Sequence, residues 1–337
     1  MTTALAHDQL PRPSQGALRA IARQREWGVA ILLGLTIAIV AIINPQFVAI
    51  DNLKDILVAV APFAIIGCAV TFVIVTGEID ISVGSHVALL AAVLGLLTSK
   101  DHAAMGVVPA ILIVLALGIV VGLINGFLIA YLRVPSIITT LGMLTALRGI
   151  TELLMNGQWI QNLPDGLRYF GIGTFLKIPI SIWTAAVVVA SSMVLATRTP
   201  IGRRIYAVGS SPHAARLAGL SPRRIKLFVF ALTGLMVAVA TIVSVPQLAT
   251  IQSGVGSGWE LIVVTAVVVG GTSISGGKGT IIGTILAAVL LRIIRTVLIF
   301  LKLGNEATYW ERAIQGAFIL LAVLVDHLAR RGEAEEH

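Results

Sequence analysis

The chain places four ionisable residues within or between long apolar stretches, where a charge is costly. Glu78 and Asp80 lie in the polar segment GEIDISVGS, and Arg292 and Arg295 lie one helical turn apart in a later apolar stretch. At the centre of a bilayer such a side chain costs about 2.5 kcal/mol or more on insertion scales, unless it faces protein or water. These residues are therefore candidates for a polar pathway, in which the two acids could pair with the two arginines across the pathway.

Each of these residues also has a structural interpretation. Arginines close to the membrane interface can extend their charged groups to water, and acids that precede a helix are favoured by its dipole. Ser82 lies in the same polar segment. Asn125 shares a helix face with a stripe of glycines at four-residue spacing, so the expected role of its amide is a hydrogen bond between helices. The pathway candidates are Glu78, Asp80, Ser82, Asn125, Arg292 and Arg295.

The sequence predicts no catalytic residue, metal site or cofactor in this chain. The segment GGTSISGGKGT resembles a phosphate-binding loop, but Thr272 and Gly279 stand where that motif needs a glycine and a Ser or Thr. The six histidines lack metal-type spacing, Cys68 is the single cysteine, and no serine lies in a G-x-S-x-G turn. We therefore expect this chain not to hydrolyse ATP.

The composition indicates an all-α, polytopic membrane protein. Hydrophobic residues make up 57% of the chain and charged residues only 12%, and the mean hydropathy is +0.97. Several nearly uncharged runs are long enough to cross a bilayer. The net charge of +8 comes from cations at helix ends and in one loop, so membrane orientation explains it without nucleic acid. The expected spans, about ten, are Trp27–Ile43, Ile56–Thr76, Val83–Thr98, Val107–Leu132, Ser136–Met155, Pro179–Ala196, Leu227–Val245, Glu260–Gly271, Thr280–Leu301 and Ala313–Leu328.

The predicted organisation is an N-terminal arm (1–26), a transmembrane region (27–329) and a tail (330–337). Within the transmembrane region, a helix, a polar glycine-rich break and a second helix occur in that order twice, around residues 77–85 and 270–280. Transporters are often built from such internal repeats. A glycine-rich chain can also show this repeated pattern by chance.

Residues 198–226 hold seven basic side chains and no acidic one. Short loops rich in Lys and Arg stay on the cytoplasmic side of a membrane, so this loop and both termini are expected to be cytoplasmic. Inside the loop, SSPHAARLAG predicts a short capped helix. Ser210 or Ser211 would cap it, Pro212 would take the first helical position, and Gly219 would end it. Such a small rigid helix indicates a docking partner in the cytosol.

Five segments together resemble the permease subunits of bacterial ABC importers of the ribose/xylose/rhamnose/autoinducer-2 type. They are GEIDISVGS, INGFLIAYLRVPSIITTLGMLTALRGI, GRRIYAVGSSPHAARLAGLSPRRIK, VVVGGTSISGGKGTIIGT and YWERAIQGAFILLAVLVD. The resemblance covers about residues 60–326. The chain departs from the family pattern at Glu78, where the usual GGIDLSVG has a glycine. It also departs at Arg292 and Arg295, where many relatives have small or amide residues.

The resemblance implies a multi-pass permease of the bacterial inner membrane, surrounded by lipid. Its expected partners are a second permease copy or homologue, cytosolic ATPase subunits and a periplasmic sugar-binding protein. The expected solute is a monosaccharide or small polyol such as rhamnose, ribose, xylose or autoinducer-2. The ATPase-coupling residues that the resemblance implies are Gly202, Arg203, Tyr206, Ala207, Gly209, Pro212, Ala214, Ala215, Leu217, Ala218 and Gly219. An ion-coupled secondary transporter is the alternative, and the sugar and the homodimeric or heterodimeric state stay open.

Overall fold

The computed structural model describes residues 25–301, 306, 309–318, 320, 321 and 324. Most of the N-terminal arm, the tail and the end of the tenth predicted span lie outside these residues. The helices are α1 (Arg25–Ile43), α2 (Ile50–Val75), α3 (Val83–Thr98), α4 (Val107–Ala130), α5 (Ser136–Met155), α6 (Asp165–Ile172), α7 (Ile180–Arg198), α8 (Pro200–Ser210), α9 (Pro212–Leu217), α10 (Pro222–Ser244), α11 (Trp259–Val269) and α12 (Ile281–Phe300). Two 3₁₀ turns (Pro45–Val48 and Val245–Gln247) and a two-stranded antiparallel hairpin, β1 (Thr174–Phe175) and β2 (Ile178–Pro179), complete the named elements. Residues 309–318 are helical again.

The architecture is that of a polytopic helical membrane protein. Seven helices in the described part of the chain are long and apolar enough to cross a membrane, namely α1, α2, α4, α5, α7, α10 and α12. The apolar helices α3 and α11 are shorter, with 16 and 11 residues. The helical class predicted from composition is confirmed.

Helix α2 forms the centre of the bundle. Residues 60–75 of α2 are all buried, and α2 packs against α10, α12, α7 and α11. Its apolar residues lie on every face, because a helix enclosed by other helices has no side that must be polar.

The glycine stripe of α4 forms the contact with α10. A Cβ atom on Gly122 would lie 2.3 Å from the carbonyl oxygen of Phe230, and one on Gly118 would lie 2.6 Å from that of Gly234. Only glycine allows the two backbones to approach this closely. The close helix contact predicted from the spacing is therefore confirmed.

Several helices extend beyond the apolar runs that predicted them. Helix α2 begins at Ile50, six residues before the expected start, and α10 begins at Pro222, five residues before. Asp51 in the first turn of α2 is almost fully exposed. Charged residues mark where the apolar zone ends, whereas a helix can continue past that point if its charges face water.

The bundle has two ends. The basic end carries residues 198–226, the end of α2, and two interruptions. We call residues 76–82, between α2 and α3, the first break, and residues 270–280, between α11 and α12, the second break. The distal end carries residues 156–179, where the backbone of Ile160 pairs with that of Ile251.

Candidate functional site

The basic segment contains one more helix than the sequence predicted. Helix α8 follows α7 after a single residue, Thr199, whose hydroxyl accepts a hydrogen bond from the Gly202 amide at 3.1 Å. Pro200 occupies the first helical position, where the missing amide hydrogen costs nothing. On α8 the side chains of Ile205 and Val208 are buried, whereas Arg203 and Ala207 are exposed. Segment 198–226 is therefore largely helical.

Helix α9 has the caps that the sequence predicted. The Ser211 hydroxyl accepts a hydrogen bond from the Ala214 amide at 3.2 Å, and Pro212 follows at the first helical position. At the other end Gly219 has a φ of +78°, and its amide donates to the Arg216 carbonyl at 3.0 Å. This left-handed backbone favours glycine. The predicted short helix is confirmed, with Ser211 as its cap.

The two sides of α9 differ in exposure. Ala215 is buried, with 4% of its surface exposed, whereas Leu217 is 80% exposed. Ala214 and Ala218 are exposed with Leu217. The side available to a partner is therefore the one that presents Leu217, and Ala215 anchors the helix to the bundle.

Helix α8 contacts the end of α2 and the second break at one point. The amide of Gly277 donates a hydrogen bond to the Val75 carbonyl oxygen at 2.8 Å. Gly209 packs against that same oxygen, and a Cβ atom built on it would lie 1.8 Å away. The Tyr206 hydroxyl donates to the Gly279 carbonyl at 2.8 Å. Burial, with a smaller contribution from the Glu26 carboxylate, raises the pKa of Tyr206, which keeps this donor protonated.

The first break is joined to the base of α10. The Glu78 carboxylate forms an ion pair with the Lys226 ammonium, and the two side chains are only 15% and 20% exposed. The backbone of Ile79 bonds to α5, because its amide donates to the Ser136 hydroxyl at 3.2 Å and its carbonyl accepts from Thr140 at 3.3 Å. A displacement of α10 therefore acts directly on the first break.

Asp80, Ser82 and Asn125 form a buried hydrogen-bond chain. One carboxylate oxygen of Asp80 accepts from the Ser82 amide at 2.9 Å and from its hydroxyl at 2.6 Å. The Asn125 side-chain amide donates to the Ser82 hydroxyl at 3.0 Å. This chain fixes the start of α3 against α4. Asn125 thus forms a hydrogen bond from α4 to the residue that precedes α3, as its position on the glycine-lined face predicted.

The predicted pairing of the two acids with the two arginines is wrong. Glu78 pairs with Lys226 at the basic end, whereas Arg292 pairs with Glu311 through a contact of 3.4 Å. Arg292 and Arg295 lie in the half of α12 nearer the distal end, because α12 begins at the second break. Local spacing does not predict these partners, because Glu78 and Lys226 are 148 positions apart and Arg292 and Glu311 lie on different helices, 19 positions apart.

Arg292 and Arg295 line a cavity of about 770 Å³ in the distal half of the bundle. The guanidinium carbon of Arg292 lies 4.7 Å from the centre of the Phe63 ring. Residues that the sequence analysis did not assign to a pathway also line the cavity, namely Gln247, Ser257, Trp259, Glu311, Arg312 and Gln315. Three of these residues, Glu311, Arg312 and Gln315, belong to the segment YWERAIQ. This segment contributed to the family resemblance, but the sequence predicted no role for its individual residues.

A second cavity, of about 880 Å³, lies at the basic end. Its lining includes Glu78, Arg133, Arg216, Arg223 and Lys226. It separates α9 from the short turn between α4 and α5, so α9 has open space beside it.

The family model described as "Branched-chain amino acid transport system / permease component" matches residues 52–323. The ribose import permease protein RbsC of Escherichia coli (strain K12) is 38% identical over 301 residues, which cover 88% of this chain and 92% of that protein. RbsC of Haemophilus influenzae is 37% identical, covering 92% of this chain and 94% of its own length.

The autoinducer 2 import system permease protein LsrC of Photorhabdus laumondii subsp. laumondii is 33% identical over 308 residues, which cover 91% of this chain and 90% of that protein. No solved structure matches the chain.

Proposed function

This chain belongs to the family of the branched-chain amino acid transport system permease components, and we propose that it works as follows. It is the permease subunit of an ABC importer in the bacterial inner membrane, and it carries a monosaccharide or similar small polyol. A periplasmic binding protein delivers the solute, and cytosolic ATPase subunits supply the energy. A second permease, identical or homologous, completes the pathway.

The observation that carries this proposal is the junction at the Val75 carbonyl oxygen. Gly209 of α8 packs on this atom, and Gly277 of the second break donates a hydrogen bond to it. Helices α8 and α9 are short, capped and joined by Ser211 alone. A force applied to α9 therefore reaches α2 and the second break without passing through a flexible loop.

The coupling follows from these contacts. Closure of the ATPase pair on nucleotide presses on the exposed side of α9, and α8 moves with it. The movement reaches the second break through Tyr206 and Gly209, and the first break through Lys226 and Glu78. The helices that follow the breaks, α3 and α12, then change their positions in the pathway wall. The energy comes from the different affinities of nucleotide for the two states of the ATPase.

The distal cavity forms part of the solute pathway in this mechanism. Arg292 and Arg295 are its intramembrane ionisable residues from the sequence prediction, and their position at a cavity lets them face water or protein instead of lipid, which lowers the cost of their charges. Asp80, Ser82 and Asn125 act by fixing the start of α3, and Glu78 acts as the partner of Lys226.

The full topology has about ten spans with both termini in the cytoplasm. The short helices α3 and α11 and the helix at residues 309–318 join the seven long helices. The orientation rests on the seven cations of segment 198–226, because basic short loops stay inside.

An ion-coupled secondary transporter is the less favoured alternative. It would need a carboxylate free to bind and release an ion near the middle of a span. Glu78 is paired with Lys226, Asp80 holds Ser82, and Glu311 is paired with Arg292. Glu260 has one buried oxygen without a partner, but it lies in the first turn of α11, where its other oxygen accepts from the Gly258 amide. ATPase-independent uptake by spheroplasts would favour this alternative.

Cysteine labelling tests the orientation and the docking surface together. Leu217→Cys is expected to resist a membrane-impermeant maleimide in intact spheroplasts and to react in inverted vesicles that lack the ATPase. Adding the ATPase should protect it. Leu176→Cys, at an exposed position of the distal hairpin, is the matched control and should react in spheroplasts. Labelling of Leu217→Cys in intact spheroplasts would contradict the proposal.

A further inference from the structure

The distal cavity carries an excess of positive charge. Among its described lining residues, three are arginines (Arg292, Arg295 and Arg312) and one is an acid (Glu311). Glu311 balances Arg292 through their ion pair at 3.4 Å. Arg295 and Arg312 have no carboxylate within ion-pair distance in the described part of the chain. Both residues are exposed, so their guanidinium groups are free to meet a solute, and a neutral solute would leave these two charges unbalanced.

One further observation points to a negatively charged ligand. The Nε atom of Arg292 is buried without a hydrogen-bond partner. The N-terminal end of α11 also lines the cavity, through Ser257, Gly258 and Trp259, but it adds no net positive charge. Glu260 accepts a hydrogen bond from the Gly258 amide at 3.2 Å, and its other carboxylate oxygen is buried without a partner.

The remaining lining fits a sugar ring. Trp259 is partly exposed to the cavity and offers apolar surface to the C–H face of a pyranose or furanose. The buried Phe63 ring supports it, with the two ring centroids 4.7 Å apart. Gln247, Gln315 and Ser257 provide amide and hydroxyl groups for sugar hydroxyls. The cavity therefore combines the chemistry that binds a sugar with guanidinium groups that bind a carboxylate.

We propose that the solute carried through this cavity is an acidic monosaccharide, an aldonate or uronate, whose carboxylate is bound by Arg295 and Arg312. The inference rests on the proposed function, because it assigns the distal cavity to the solute pathway. Guanidinium groups bind carboxylates through paired hydrogen bonds, and charge-assisted bonds of this kind are about twice as strong as neutral ones.

The test is uptake by cells that express the permease with its own ATPase and binding protein. The solutes are common pentoses and hexoses, each as the neutral aldose, the aldonate, the uronate where one exists, and the phosphate ester. We expect ATPase-dependent uptake of at least one sugar acid, at a rate at least tenfold above that of its neutral parent. ATPase-dependent uptake confined to neutral sugars or sugar phosphates would overturn the inference and leave the proposed function standing. Uptake of an acid that persists without the ATPase would instead overturn the proposed function. A panel in which no acid is taken up also counts against the inference.

Variants then test the residue assignment. Arg295→Gln should lower uptake of the acid about tenfold, and Arg295→Lys should retain part of it because it keeps the charge. Lys54→Gln removes a cation from the first turns of α2, outside the cavity, and should leave uptake unchanged. ATPase stimulation by the binding protein should be unaffected by Arg295→Gln. If that stimulation falls in parallel with uptake, Arg295 serves protein docking, and the assignment is wrong.

Discussion

Leu217 and Ala215 are two positions apart on α9, yet their environments are opposite. Leu217 is 80% exposed on the side proposed to meet the ATPase, and Ala215 is buried against the bundle. A charge at Leu217 faces water in the isolated permease but would have to be buried in the docked complex. Leu217→Asp should therefore reduce uptake about tenfold while the amount of permease in the membrane stays normal.

Leu217→Met is the control for that experiment, because it keeps an apolar side chain of similar volume, and it should import normally. Ala215→Asp should behave differently and lower the yield of folded protein, since it buries an unpaired charge. Wild-type uptake by Leu217→Asp, at normal expression, would show that this side of α9 does not transmit the force.

The ion pair between Glu78 and Lys226 allows a second prediction at the residue scale. Both side chains are largely buried, so Glu78→Gln leaves the Lys226 ammonium poorly compensated, at a cost of about 1–3 kcal/mol. The thermal midpoint of the detergent-purified permease should fall. The double variant Glu78→Lys, Lys226→Glu should recover part of the loss, because it restores a pair of opposite charges. Equal midpoints for the wild type and Glu78→Gln would show that the pair does not hold the break.

At the scale of elements, the approach of α8 to α2 can be tested through Gly209. A single added methyl group would overlap the Val75 carbonyl oxygen, which would lie 1.8 Å away, and it would also approach the Gly277 amide at 2.8 Å. Neither atom belongs to a flexible side chain, so α8 must move away. We expect Gly209→Ala to lower uptake at least tenfold and to leave ATP hydrolysis by the assembled complex active.

Gly142→Ala is a suitable comparison, since Gly142 is also helical and an added Cβ there meets no atom within 4 Å. It should import at the wild-type rate. If Gly209→Ala imports as well as Gly142→Ala does, the close contact between α8 and Val75 is not part of the transmission.

The elements also show where sequence reasoning works and where it stops. Caps are local, so Pro212 and Gly219 located α9 correctly, and the glycine spacing of α4 predicted its contact with α10. Helix α8 was missed because its amphipathic eleven residues contain two adjacent arginines and no long apolar run, and a hydropathy argument assigns such a stretch to a loop. Tertiary contacts decide whether a short polar segment becomes a helix.

At the scale of the whole molecule, the polytopic helical class followed from composition alone, because only helices or closed barrels satisfy the backbone in lipid. The six pathway candidates lie in two separate regions of the bundle, and the sequence alone could not show this. The sequence groups Asp80 and Arg292 in one pathway set, yet they lie toward opposite ends of the bundle, where Asp80 bonds to Ser82 and Arg292 pairs with Glu311. Local composition shows that a charge needs a partner, but the arrangement of the helices decides which partner it has.

The oxygen atom shared by Gly209 and Gly277 also bears on leakage. An ATP-driven importer wastes nucleotide, and the membrane loses its ion gradients, if one side of the pathway opens before the other side has closed. In the proposed mechanism α8 and α9 move both breaks, the second through the contacts at Val75 and the first through the base of α10. An intermediate in which only one break has moved would have to lose one of these contacts, so we expect it to be sparsely populated and leakage to be rare.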